Sequence, residues 1–224
     1  RCSVGCAGES GGWQDFDQNG RMTWEYDSAG PGAVVLMGEL SSQATLALGF
    51  GTTMDSAATL AMSSLTKDFS TIWNEQCRAW EAWFDHCHLP DLPLKLQRML
   101  ALSGTVLKVH EDRTYCGAMV ASLSIPWGQD SQSRGGYHLV WCRDLVETAG
   151  ALVAMGLFED ARDVLRYLIA TQQADGHWLQ NQWLGGKAFW QGIQLDEAAF
   201  PILLVSALRE CDALEGIPCQ DMIK

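Results

Sequence analysis

The pattern of apolar and polar positions changes character along the chain. Between Trp13 and Gly51 the apolar residues come in short runs, Met22 to Tyr26, Ala33 to Gly38 and Ala44 to Phe50, separated by Gly, Pro, Asn and Asp. Short runs bounded by turn formers predict β-strands. Three or four of them make a sheet too small to stand alone, so this stretch is expected to be the end of a larger β domain. From Met54 to His88 the pattern is different: Ala, Leu, Met and Trp recur at intervals of three and four with no Gly or Pro, which predicts helix. Trp73, Trp80, Trp83 and Phe84 fall near one face of it, as a packed amphipathic stripe does. Pro90 and Pro93 then break the pattern as a linker would.

Helical spacing returns over Leu94 to His110, Arg143 to Met155, Phe158 to Gln173 and Leu195 to Glu210. A Gly- and Ser-containing passage from Tyr115 to Gly136 predicts a long ordered loop, and loops of that length usually bind something. Helix, turn, helix, loop, helix is the skeleton of an α/α arrangement with its loops gathered at one end. The fold class is therefore mainly α with a β portion. No short repeat or low-complexity tract interrupts it.

Composition narrows the partners. A formal net charge of -12 over 224 residues argues against nucleic acid, which demands clustered Lys and Arg. No apolar run approaches the roughly 20 residues of a membrane span. Ten Trp against seven Phe and four Tyr is a skewed aromatic usage, and several of those Trp stand beside carboxylates, amides and Gly. Such rings suit sugars, whose C–H faces stack on indole, although core packing explains any single Trp equally well. The eight Cys contain no CxxC and no paired His motif, so neither zinc nor a disulfide framework is indicated; free, mostly buried thiols are expected. The first residues form no signal peptide, and the chain is expected to be a piece of a longer protein. Its compartment, cytoplasmic or secreted, is left open.

Chemistry concentrates in three segments. Gly135 to Asp144 places Tyr137, Trp141, Arg143 and Asp144 at or just before a helix start. The planar fork of an Arg and the two acceptors of an Asp can grip neighbouring sugar hydroxyls from complementary directions, while Asp144 as a helix cap is the structural alternative. Gln172 to Trp183 is rich in amides and indoles. Phe189 to Glu197 adds Trp190, Gln194, Asp196 and Glu197. Dense, mostly uncharged polar groups are expected where a neutral polyol is desolvated, although Asp196 and Glu197 also suit the positive end of a helix dipole.

The runs Gly135 to Asp144, Thr171 to Asn181 and Gly192 to Leu204, with His110 to Asp112 and Ser122 to Gly128, resemble the bacterial and archaeal branch of glycoside hydrolase family 15. Gly12 to Asp15 and Leu46 to Phe50 extend the resemblance toward the N-terminus. It implies the end of an N-terminal super-β-sandwich over residues 1–53, a helical linker over 54–92, and the first part of an (α/α)6 catalytic barrel over 93–224. That family holds glucoamylases, glucodextranases and some trehalases. By the same resemblance Tyr137, Trp141, Arg143 and Asp144 hold the non-reducing glucose and Trp190 lines a neighbouring subsite, with Gln194 and Asp196 as further substrate-binding candidates. Cys142 stands where the family usually has Pro, which removes one φ restraint before the helix.

The implied activity is inverting hydrolysis of α-glucosidic bonds from the non-reducing ends of an oligosaccharide or polysaccharide, without cofactor or metal. Its alternatives are a trehalase of the same family and a noncatalytic carbohydrate-binding module. Inversion needs two carboxyl groups, one as acid and one as base. The family's acid lies in a Trp-Glu-Glu motif, which this sequence lacks, and its base lies further on. Glu197 is the second-best candidate acid, with substrate positioning or helix capping as the favoured alternatives. The chain is expected to hold about four of twelve barrel helices, leaving apolar helix faces exposed and the piece inactive alone.

Overall fold

A computed structural model describes residues 1–123 and 137–222. Its contacts divide the chain into two units, with the boundary between Trp80 and Glu81. The fold is mainly helical with small sheets.

The first unit carries one two-stranded antiparallel sheet, β1 (Cys2–Cys6) on β2 (Val34–Gly38), with Val4 opposite Leu36. A short helix, α1 (Trp13–Asn19), lies between them in sequence. Of the three expected strands only Ala33 to Gly38 is one. Met22 to Tyr26 has the apolar pattern but not the ladder, because a buried carboxylate takes its amides instead. Asp15 of α1 accepts from the main-chain N–H of Thr23 at 2.5 Å and of Trp24 at 2.8 Å, from the Thr23 hydroxyl, and from Asn19 Nδ2 at 3.0 Å. Burial raises the Asp15 carboxyl, but these donors more than offset it and hold the group down at about 2. Ala44 to Phe50 forms no strand either, and Phe50 is exposed.

The expected helix from Met54 to His88 is two. α2 (Met54–Leu65) starts at Thr53, whose side chain and that of Ser56 form a capping box. α3 (Phe69–Phe84) starts after Asp68, whose carboxylate accepts from the Thr71 amide at 2.9 Å and hydroxyl at 3.1 Å. Asp68 thus restarts a helix within a pattern whose spacing alone predicted one. Trp73 is 59% exposed, so the aromatic stripe is not a continuous buried seam.

The second unit contains the core. α4 (Leu94–Val109), α5 (Cys142–Ala154), α6 (Phe158–Thr171) and α7 (Leu195–Glu210) follow the predicted helices to within a few residues. Leu145, Val146, Ala149 and Leu152 of α5 pack with Val164, Leu165 and Leu168 of α6 and with Leu204, Val205 and Leu208 of α7. α5 is therefore the central helix of the unit. A three-stranded antiparallel sheet, β3 (Val140–Trp141), β4 (Asn181–Gln182) and β5 (Ala188–Trp190), runs directly into it at Cys142. α4 leaves Leu94, Met99, Leu102 and Val106 about half exposed or more, and α7 leaves Leu195 and Leu203 so. The predicted loop of 115–136 falls partly outside the described residues. The described part is ordered by Ala121 and Ser122, which donate to the carbonyls of Leu139 and Tyr137. Gly117 at φ +79° is required there, because a Cβ would lie 2.1 Å from the Asp163 carbonyl oxygen.

All eight cysteines are free, but only Cys142 and Cys219 are buried, while Cys2, Cys116 and Cys211 are exposed. The expectation of mostly buried thiols fails because most of these residues lie on short segments or helix ends outside the core.

A polar joint ties α3, α4 and α6. Lys108 Nζ lies 2.5 Å from both Glu111 Oε2 and Asp160 Oδ1, and Trp83 Nε1 donates to the Asp160 carboxylate at 3.2 Å. Burial pulls the Lys108 ammonium down, yet these two carboxylates carry it above its ordinary value. Asp160→Ala leaves Lys108 with one partner and the indole N–H without this acceptor. It is expected to destabilise the protein by roughly 3 kcal/mol, measured as a shift in urea midpoint at constant m-value; no shift would mean the joint contributes nothing.

Candidate active site

Strand register places the first set of groups. In an antiparallel sheet directly opposed residues project to the same face. Trp141 opposes Asn181, and Asn181 opposes Trp190, so two indoles flank one amide in a single row. Asn181 is buried and Trp190 is 62% exposed. Tyr137, 40% exposed, meets Trp141 with ring centroids 5.6 Å apart and planes at 51°. Tyr137, Trp141 and Trp190 therefore gather aromatic surface at the foot of α5.

The charged groups come from two helix starts. Arg143 Nη1 donates to Asp196 Oδ2 at 2.9 Å, joining the first turn of α5 to that of α7. Asp144 Oδ2 lies 3.8 Å from Arg143 Nη2. Arg143 and Asp196 are more than a third exposed, as expected of groups that meet a ligand. The hydrogen bond to Asp196 raises the Arg143 guanidinium above its ordinary value, and the same bond holds the Asp196 carboxyl below the usual carboxylate range. One face of the guanidinium fork is thus fixed by protein. Asp144 is left beside it with acceptors for a hydroxyl-bearing ligand.

Beneath this pair lies an unusual joint. Pro201 stands inside α7, and a proline has no N–H to give the carbonyl four residues back, which is that of Glu197. The Cys142 thiol donates to that carbonyl oxygen at 3.2 Å. Cys142 is also the first residue of α5, where Pro would preset φ. The helix nevertheless starts there without the proline, and the thiol supplies a tie to α7. Burial, with the carboxylates of Glu197 and Asp196, pushes the thiol far above its ordinary value, keeping it a donor.

Glu197 itself is wholly buried, and among the described residues neither carboxyl oxygen has a hydrogen-bond partner. Burial pushes its carboxyl up to about 7 from an ordinary 4.5; Arg143 opposes this, while Asp196 and Asp144 add to it. Gln194, the residue preceding α7, also has its side-chain oxygen buried without a partner, as does Asn181.

The residues singled out from sequence thus fall in one neighbourhood: Tyr137, Trp141, Arg143 and Asp144 at the entry to α5, Trp190 on the same sheet row, and Gln194, Asp196 and Glu197 at the entry to α7. Sequence reasoning did not single out Asn181 or the pairing of Cys142 with Pro201. The signal for the latter was a proline at helix position seven, which always frees a carbonyl. Among the described residues no group of three or more His, Cys, Asp or Glu could hold a metal ion, and no helix is long and apolar enough to cross a membrane.

Comparison with known proteins agrees with this architecture. Residues 95–182 match the family described as glycosyl hydrolases family 15, and residues 1–85 match that described as glucodextranase, domain N. The chain resembles members of glycosyl hydrolase family 15. It is 37% identical over 217 residues to a glucoamylase of Clostridium sp. (strain G0005), an alignment that covers 93% of the chain and 30% of that relative. It also superposes on a bacterial glucoamylase crystallised with acarbose at a TM-score of 0.72 and 34% identity, over 94% of this chain and 32% of that one. The chain therefore spans about a third of the length of these relatives.

The raised carboxyl has a consequence for stability. The folded chain holds the Glu197 proton up to about 7, whereas an unfolded chain releases it near 4.5. The group's contribution is thus fully present below 4.5 and is lost as pH rises through 7. Glu197→Gln, which cannot ionise, should show a smaller fall in urea midpoint between pH 5 and pH 8 than the parent protein. Equal falls would mean that Glu197 titrates normally.

Proposed function

We propose that the whole protein is an inverting glycoside hydrolase that releases glucose from the non-reducing ends of α-glucans. In this reading the 224 residues carry its glucose-gripping half. The observation that carries it is the Arg143 fork, fixed on one side by Asp196 and standing beside Asp144, at the helix start that follows the paired Tyr137 and Trp141 rings. A glucose ring offers both a flat C–H face and a fan of hydroxyls. Indole accepts the first, and an Arg–Asp pair complements the second by donating and accepting on adjacent oxygens. Acarbose, the saccharide analogue held by the related bacterial glucoamylase, suits such a site.

The residues of this chain would then bind and orient the terminal glucose, with the scissile bond presented to two carboxyl groups. Inverting hydrolysis requires an acid that protonates the leaving oxygen and, on the far face, a base that activates water. Neither role falls to Arg143 or Asp196, which are engaged with one another, or to Asp144 beside them. The acid and base belong to the remainder of the protein.

The same reading divides the chain into a sandwich end over 1–53, a helical linker over 54–92 and the opening helices of an (α/α)6 barrel over 93–224. It is supported by the two family matches, which leave residues 86–94 between them at the Pro90 and Pro93 break. The exposed apolar faces of α4 and α7 fit helices that expect further neighbours.

In the full-length protein Asp144→Ala should weaken maltose binding roughly 10- to 100-fold, since a hydroxyl loses a charged partner. Arg143→Lys should lose a similar factor because an ammonium cannot reproduce the fork. Titration calorimetry reads both; unchanged affinity in a folded Asp144→Ala variant would remove Asp144 from the site. Glucose release from maltose, isomaltose, starch and trehalose is expected from the full-length protein and not from residues 1–224 alone. Release by the short chain would place the catalytic pair within it.

A further inference from the structure

Glu197 has the raised carboxyl of a catalytic acid, yet it is wholly buried. A general acid must come within about 2.6–3.2 Å of the oxygen it protonates. Glu197 has no exposed surface at all, although only about a third of a relative's length is present to cover it. Additional chain folded over the site adds cover and removes none.

The carboxyl belongs to the first turn of α7, directly after Asp196, which holds Arg143. Arg143, Asp196 and Asp144 all act on it electrostatically. Its position is fixed from both sides: its own carbonyl, freed by Pro201, takes the Cys142 thiol, and its neighbour Asp196 takes Arg143. We propose that Glu197 is a positioning residue for the Arg143–Asp144–Asp196 cluster, acting on the saccharide only through Arg143, and is not the catalytic acid. This rests on the reading of that cluster as the glucose grip.

The physical reason is competition for one guanidinium. With Glu197 uncharged, Asp196 is the anion that orients Arg143 and Asp144 stands free to accept from a hydroxyl. An ionised Glu197 would set a second anion beneath Arg143, draw the fork inward, and repel Asp144 and Asp196. Burial favours the uncharged form below about 7. The groups facing it are Cys142, Arg143 and Asp144 from α5 and Asp196 from its own helix. No residue of the sheet β3–β5 is titratable, and α6 turns inward apolar side chains and Tyr167, whose hydroxyl accepts from Gln182 and donates to the Leu184 carbonyl. A neutral carboxyl is closely mimicked by an amide, so glutamine should serve where alanine does not.

The test is maltose hydrolysis by the full-length protein at pH 6 and pH 8, for the parent, Glu197→Gln and Glu197→Ala, with infrared absorption of protonated carboxyls recorded alongside. At pH 6 Glu197→Gln should keep kcat and KM within roughly threefold of the parent, whereas Glu197→Ala should raise KM about tenfold with a smaller change in kcat. The parent's KM should rise between pH 6 and pH 8 and that of Glu197→Gln should not. A fall in kcat of about 100-fold or more for Glu197→Gln at unchanged KM would make Glu197 the acid and overturn the proposal. So would identical KM profiles with pH for the parent and Glu197→Gln. If Glu197→Ala does not fold, the comparison of the parent with Glu197→Gln decides. If the parent neither binds nor cleaves maltose, the function reading fails on its own, and the infrared spectrum still judges Glu197. A protonated-carboxyl band present at pH 6, diminished at pH 8 and missing from Glu197→Gln supports the proposal; no such band overturns it.

Discussion

Pro201 removes from α7 the amide that would have closed on the Glu197 carbonyl, and the Cys142 thiol takes its place. A thiol is a weak donor, and the hydrogen bond is not what holds the two helices together. The apolar packing of Leu145 and Leu152 against Leu204 and Leu208 does that. What the thiol contributes is register. It fixes the first turn of α5 opposite the first turn of α7, and the residues next in sequence, Arg143 and Asp196, are thereby brought to 2.9 Å. Were the helices to slip by one residue, side chains now facing each other would rotate apart by about 100°.

Function then depends on what each helix start can hold. A first turn presents unpaired N–H groups and positive potential, which suits Asp144 and Asp196 on α5 and α7. Arg143 lies between these carboxylates and is held in one orientation. The sheet brings the aromatic component to the same place, since β3 runs without interruption into α5 and the Trp141, Asn181 and Trp190 row crosses it. The Trp141 and Trp190 rings and the charges are thus set by strands and helix starts, while Tyr137 stands on a turn just before β3.

The helices of the second unit were legible because each buries one face over three or four turns, so the 3.6-residue period survives in the sequence. The first unit was harder. Met22 to Tyr26 has strand-like spacing, yet its amides are taken by Asp15, and no period in the sequence announces a carboxylate from another element. Cys2–Cys6, a strand, was hidden by its two cysteines and a glycine. Asp68 caps α3, but the apolar rhythm continues on either side of it, and spacing alone reads one helix where there are two. The candidate site was legible through its residue types and family resemblance, and its residues do assemble. Which carboxyl is exposed and which is buried was not, because Asp196 and Glu197 are adjacent in sequence and their different burial comes only from how α7 packs.

The proposed glucose grip is formed by the first turns of α5 and α7 together, with Glu197 beneath it. A crystal structure of the full-length protein with acarbose tests this arrangement. The expected structure has Arg143 and Asp144 on the hydroxyls of the terminal ring, Trp141 or Tyr137 against its face, and Glu197 without a saccharide contact. A terminal ring bound elsewhere, or Glu197 within hydrogen-bonding distance of the scissile linkage, would contradict it.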